Sequence, residues 1–300
     1  MLLSAKLTSP RVLQDLLRRH DFRVKKKLGQ NFLVDANILD KIIRSLAPAG
    51  EHRVLEIGPG VGTLTRVLAR KANHVVALEL DLELFPVLEE TLRGCSNITL
   101  VHGDAAKTDL GRLMETAPGA GPVVVVGNLP YYATTPIIFN FLGGSLSWER
   151  AVFMVQKEVA QRMVARPGTK EYGALTVTIS YYTEVETAAV VSPDSFYPRP
   201  EVESAVIRLD RRAKTPGAWV DSFSFSQVVR AAFAYRRKTL ENALTRYPGL
   251  GLKKSLVRPL LVAAGIEPSR RGETLSVEEF TELAFALGPF LRRTATDGEV

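Results

Sequence analysis

Apolar residues fall into two regimes along the chain. Between Arg53 and Val155 they come in short continuous runs, at Arg53–Ile57, His74–Leu80, Ile98–Val101, Val123–Val126 and Arg150–Val155. Four consecutive Val residues at 123–126 are the pattern of a parallel strand covered on both faces. Between the runs the spacing changes to three and four, as in Leu64, Val67 and Leu68, in Leu84, Val87, Leu88 and Leu92, and in Ile137–Leu142. Strands alternating with such helices predict an α/β fold with a largely parallel sheet. Upstream, Ser9-Pro10 opens a helix with Val12, Leu13, Leu16 and Leu17 on one face, ending near His20. Asp35 is placed to cap a second, carrying Ile38, Leu39, Ile42, Ile43 and Leu46.

Downstream the pattern is mixed. A helix is expected over Glu158–Ala165, and strands over about Glu184–Val191 and Ser204–Leu209, flanking the stiff segment Pro193–Pro200. Leu175, Val177, Ile179 and Tyr181 alternate with Thr and Ser, which by periodicity reads as a strand. Arg211-Arg-Ala-Lys-Thr-Pro-Gly217 is a polar linker. Beyond it, Phe225, Val228, Val229, Ala232 and Phe233 trace an amphipathic helix. Leu240–Leu244, Val257–Ala264 and Val277–Leu287 follow as helices, the last with a capping box of Ser276 and Glu279. An α/β domain over residues 1–215 and a small all-helical domain over 216–300 are expected, with the last few residues disordered.

In open α/β sheets ligands bind at the carboxyl ends of the strands, and those ends carry unusual residues here. The first strand runs into Gly58-Pro-Gly-Val-Gly62. The glycines allow close backbone approach to a ligand, and a helix N-terminus follows. No Lys-Ser/Thr follows, so this is not a P-loop, and the spacing is wrong for a dinucleotide fingerprint. Glu79 ends the next strand about 20 residues on, where a carboxylate can accept both ribose hydroxyls. Asp104, after the third, can take an adenine amino group or simply cap the next turn. The Val-rich strand ends in Asn128-Leu129-Pro130-Tyr131. Alone, this reads equally well as a strand-ending turn. It also suits a flat, amine-bearing ring: an amide oxygen to accept from the amine, a proline without a competing N–H, and an aromatic face. Gly58, Gly60, Glu79, Asp104 and Asn128, delivered in order to one edge, form an adenosine-shaped set without pyrophosphate machinery. It fits S-adenosyl-L-methionine better than a dinucleotide.

Charge adds a partner class. The 300-residue chain has a net charge of +7. Residues 1–30 hold eight Lys and Arg against two Asp and Glu, residues 211–300 hold fifteen against nine, and the middle is acidic, with sixteen against twenty-one. Basic ends around a neutral-to-acidic centre suggest a polyanion gripped by the ends and chemistry in the middle. Lys25, Lys26 and Lys27 at one end, and Arg236, Arg237 and Lys238 at the other, are candidate phosphate contacts; the bland alternative is solvated basic turns. Cys95 is the single cysteine and the four His show no ligand spacing, so neither a disulfide nor a metal site is expected. Without a membrane-length apolar run or a signal-peptide core, a cytoplasmic, monomeric protein is expected.

The chain resembles the adenine N6-dimethyltransferases of small-subunit (16S) ribosomal RNA. The resemblance rests on Leu28-Gly-Gln-Asn-Phe-Leu33, Glu56-Ile-Gly-Pro-Gly60, Glu79-Leu-Asp81, Gly103-Asp104, Gly127-Asn-Leu-Pro-Tyr-Tyr132, Val155-Gln-Lys-Glu158, Tyr172-Gly173 and Phe196-Tyr-Pro-Arg-Pro-Glu-Val-Glu-Ser204. It implies a Rossmann-like methyltransferase domain with a C-terminal helical domain, and a helix rather than a strand from about Tyr172. It implies S-adenosyl-L-methionine as donor, contacted by Asn31, Leu33, Gly58, Glu79, Asp104 and Asn128. It further implies that two adjacent adenines in a hairpin near the 3′ end of the small-subunit RNA are each dimethylated. Asn128 Oδ1 and the Leu129 carbonyl then accept from the target amine, while Tyr131 and an exposed Phe196 stack on the base. Two other readings share the fold: a large-subunit RNA adenine methylase conferring macrolide resistance, disfavoured by Pro136, and a non-catalytic RNA-binding assembly factor, disfavoured by the intact Asn128–Tyr131.

Overall fold

The computed structural model describes residues 7–217 and 220–296, without the side chains of Lys26 and of residues 292–296. The expectation for the chain's last few residues lies outside the described residues. Nine strands are described: β1 Phe32–Leu33, β2 Arg53–Ile57, β3 His74–Glu79, β4 Ile98–His102, β5 Val123–Asn128, β6 Arg150–Gln156, β7 Thr183–Val191, β8 Phe196–Tyr197 and β9 Ser204–Arg211. Seven of them form one sheet in the order β4-β3-β2-β5-β6-β9-β7. The first five are mutually parallel, and β9 runs antiparallel to β6. β5 lies between β2 and β6 with Val123–Val126 buried, as its run of Val requires.

Helices cover the parallel strands. Helix Ala36–Leu46 buries Ile38, Leu39, Ile42, Ile43 and Leu46 against Val54, Val124, Val126, Val152 and Met154. Its N-terminus is capped by Asp35, which accepts from the Asn37 and Ile38 amides and contributes about 1 kcal/mol. Helix Pro10–Arg19 inserts Leu13, Leu16 and Leu17 into a cluster with Phe22, Phe32, Val61 and Leu88.

The described residues divide into two compact units, residues 1–160 with 185–211, and residues 161–184 with 212–300. This differs from a single cut at 215/216, because residues 161–184 pack among the C-terminal helices. Helix Ala174–Tyr182 buries Val177 and Tyr181 in one cluster with Phe225, Val228, Leu240, Leu261 and Phe280. The Tyr181 and Phe225 rings stack with centroids 4.0 Å apart, and Tyr172 Oη donates to the Leu275 carbonyl at 2.8 Å. The strand-like alternation over 175–181 fails here. Thr176 and Thr178 are buried as well as their apolar neighbours, so no polar face exists for a period of two to mark. The helical unit also contains helices Ser222–Ala234, Leu240–Arg246, Lys254–Ala263 and Val277–Thr296. Glu279 Oε2 accepts from the Ser276 amide and Ser276 Oγ accepts from the Glu279 amide, the capping box expected at the last of them.

Candidate active site

The parallel strands end at one sheet edge. The chain steps outward from β2 to β3 and β4, then returns to the other side of β2 as β5, so β2 and β5 flank the switch point where such sheets bind ligands. An open cleft of about 720 Å³ lies there, lined by Asn31, Gly58, Gly60, Glu79, Asp104 and Asn128 among others. Sequence-distant residues thus meet as expected. Leu33 does not line this cleft. It lines an adjoining cavity with Glu56, Gly58, Thr63 and Asn128, because pairing with Phe196 turns it into the core.

Local geometry explains each position. Gly58 and Gly60 have φ of +70° and +58°, left-handed conformations that favour glycine. A Cβ on Gly60 would also stand 3.0 Å from the Phe32 ring. Glu79 is buried. Its Oε2 accepts from the Gly60 amide at 3.2 Å and its Oε1 from the Asp81 amide at 2.9 Å. Burial pushes its carboxyl upward, and those backbone donors oppose the shift. Asp104 Oδ1 accepts from the Ala106 amide at 2.9 Å, so it organises its own turn while lining the cleft. Gly127 is forced by crowding between strands: a Cβ would lie 2.7 Å from the Ile57 carbonyl oxygen.

The tetrapeptide after β5 is held rigidly. Asn128 Nδ2 donates to the Asn31 carbonyl at 2.8 Å. The amide nitrogen is therefore committed, and Oδ1 is the side-chain atom left to accept. The Leu129 amide donates to the Met154 carbonyl at 3.0 Å. The Pro130 carbonyl accepts from Ala133 N and Thr134 Oγ1, both at 3.0 Å. Gly29, at φ +61°, packs against Pro130 and Tyr131.

Several expectations need correction. Phe196 is buried, not exposed. It pairs with Leu33 in the β1–β8 ribbon and packs in the core with Ile38, Val191 and Val206. Leu129, Tyr131 and Phe196 do not line the cleft; Tyr132, exposed, does. Lys25 is not a free cation, since its Nζ lies 2.7 Å from Asp81 and 2.9 Å from Glu83. Gln30 Nε2 donates to the other Asp81 oxygen at 2.7 Å. Together they tie the segment before β1 to the loop after Glu79. Arg236 donates to the Lys170 carbonyl at 2.7 Å, whereas Lys27, Arg237 and Lys238 are exposed; the side chain of Lys26 lies outside the described residues. Leu28, Gln30 and Phe32 are cleft walls as well, in keeping with a segment whose glycine, amide and aromatic residues are not those of a core. The β1–β8 ribbon shows how that segment reaches the sheet edge. Among the described residues no group of three or more His, Cys, Asp or Glu could hold a metal ion, and no helix is long and apolar enough to cross a membrane.

The family model for ribosomal RNA adenine dimethylases matches residues 21–283. This chain belongs to that family. Ribosomal RNA small subunit methyltransferase A of Geobacillus thermodenitrificans is 47% identical over 288 residues, 95% of this chain and 98% of that protein. The protein of the same name from Bacillus mycoides is 46% identical, covering 94% and 97%. Among solved structures, a dimethyladenosine transferase from Plasmodium falciparum superposes with a TM-score of 0.68 at 25% identity, over 86% of this chain and 98% of that one. The 23S rRNA methyltransferase ErmE does so at 0.61 and 29% identity, over 86% and 100%. Family members use S-adenosylmethionine as methyl donor. The cleft of this member suits that molecule: a buried carboxylate at the end of β3 for ribose hydroxyls, two left-handed glycines for close backbone approach, and Asp104 within the same walls.

Proposed function

We propose that this chain dimethylates the exocyclic N6 amine of two adjacent adenines in a hairpin near the 3′ end of small-subunit ribosomal RNA, in the cytoplasm, during ribosome biogenesis. The observation that carries this reading is the Asn128 amide. Its nitrogen is tied to Asn31, so its oxygen is a fixed acceptor at the switch point, in the cleft that also holds Glu79 and Asp104. The higher identity to the small-subunit enzymes than to ErmE favours the small subunit over the large one.

Glu79 holds the donor ribose, Asp104 its adenine amine, and Asn31, Gly58 and Gly60 the remainder. When bound, S-adenosylmethionine supplies an electrophilic methyl group on a sulfonium. The lone pair of an adenine amine is conjugated with the ring, which makes it a poor nucleophile. Asn128 Oδ1 and the Leu129 carbonyl accept its two hydrogens and turn the lone pair out of the ring plane. The same acceptors stabilise the positive charge that grows on nitrogen, and because they are fixed beforehand they need no reorganisation. Tyr131, half-buried beside Asn128 and outside the donor cleft, provides an aromatic face for the base; Phe196, being buried, supports the β1–β8 ribbon instead. An unstacked loop adenine enters such a site at lower cost than a paired one. Lys27, Arg237 and Lys238 supply phosphate contacts, each within its own unit.

Asn128→Ala tests the reading. Single-turnover methyl transfer at saturating donor and RNA is expected to fall by about 10²–10³. Affinity for S-adenosylhomocysteine is expected to change by less than about tenfold, the scale of one hydrogen bond. A variant that turns over within threefold of the parent contradicts it.

A further inference from the structure

The segment that ends in Ser204 reaches the tetrapeptide after β5. Tyr131 Oη and Ser204 Oγ lie 2.7 Å apart. Ser204 is fully buried and Tyr131 half-buried. Ser204 is itself tightly placed. It opens β9 in register with Gln156 of β6. The preceding Glu203 is held twice by Lys157: the Lys157 amide donates to the Glu203 carbonyl at 3.0 Å, and Lys157 Nζ lies 2.6 Å from Glu203 Oε2. The end of β6 therefore templates both ends of the site. Met154 takes the Leu129 amide directly, and Gln156 and Lys157 position the serine that takes Tyr131.

A tyrosine fixed only at its backbone can swing about its Cα–Cβ bond and carry its stacking face away. A hydroxyl anchored at the far end of the ring removes that freedom, and small misplacements of positioning groups cost rate. We propose that Ser204 is a positioning residue whose hydroxyl holds the Tyr131 ring in the orientation that stacks on the target adenine. This rests on the reading of Tyr131 as the base-holding face.

The test is a double-mutant cycle of Ser204→Ala and Tyr131→Phe, with Tyr131→Ala alongside, using the full chain and small subunits lacking adenine dimethylation. Each single variant is expected to lower the single-turnover rate at saturating donor and RNA by about 3- to 10-fold, the scale of one lost hydrogen bond. The double variant is expected to be no slower than either single one. Affinity for S-adenosylhomocysteine should stay at the parental value, and the unfolding midpoint should fall only by the scale of one lost buried hydrogen bond, which a general structural defect would exceed. If Ser204→Ala does not fold, Tyr131→Phe decides alone: loss of rate supports the proposal and a parental rate overturns it. Additive losses, or a parental rate in Ser204→Ala while Tyr131→Ala is impaired, overturn the positioning role only. A parental rate in Tyr131→Ala removes the base-holding reading itself.

Discussion

Glu56 gives a prediction whose size follows from its surroundings. It sits in β2 with 1% of its surface exposed, and its Oε2 has no hydrogen-bond partner among the described residues. Burial pushes the carboxyl from its ordinary 4.5 up to about 8; the nearby Glu79 charge adds to the shift, and the proximity of Thr65 only partly offsets it. The folded protein therefore keeps Glu56 protonated at neutral pH, whereas the unfolded chain ionises it. Between the two values the folded state binds the extra proton, so stability must fall as pH rises. At about 1.4 kcal/mol per pH unit, roughly 3 kcal/mol is lost by pH 7 and about 5 kcal/mol above pH 8. Glu56→Gln keeps the shape and removes the titration. Its unmatched amide adds an offset that does not depend on pH, so the slope is what matters. Urea unfolding of both proteins from pH 5 to pH 8 should show the variant gaining about 3–4 kcal/mol on the parent across that range. Parallel curves, differing by less than about 1 kcal/mol in their pH dependence, would refute the reasoning.

Other predictions follow from contacts already described. Gly127→Ala places a methyl 2.7 Å from the Ile57 carbonyl oxygen and 2.9 Å from Leu129 Cδ2. It should cost about 1–3 kcal/mol of stability and lower methyl transfer by displacing Asn128; an unchanged melting temperature would argue against the crowding. Lys25 is already compensated by Asp81 and Glu83, so Lys25→Ala should leave the salt dependence of RNA binding unchanged. Arg237→Ala should instead reduce the slope of log affinity against log salt by about one. The reverse ranking, measured by filter binding across a salt series, would reassign the phosphate contacts.

Much of the site is readable in the chain because it depends on local rules. Five strands, a glycine loop and single residues at strand ends follow from apolar runs and turn chemistry. The fact that parallel strands share one carboxyl edge then gathers Gly58, Glu79, Asp104 and Asn128. What escapes the sequence is long-range pairing. Leu33 opposite Phe196, 163 positions apart in the chain, takes both into the core and removes Phe196 from solvent. Lys25 looks like a free cation until Asp81 arrives from another loop. The alternation over 175–181 marks a strand only if one face is wet; here Thr176 and Thr178 are buried along with their apolar neighbours, so the period carries no information. The tie between Tyr131 and Ser204 joins two recognisable motifs, but nothing in either shows that they touch.

Methyl transfer from labelled S-adenosylmethionine to small ribosomal subunits that lack adenine dimethylation, with large subunits in parallel and Asn128→Ala as control, tests the proposed dimethylation most directly. About four methyl groups per small subunit are expected, two on each of two adenines by the stoichiometry of dimethylation, with none on large subunits and incorporation about 10²–10³-fold slower with the variant. Label on large subunits alone, or none on either, would contradict it.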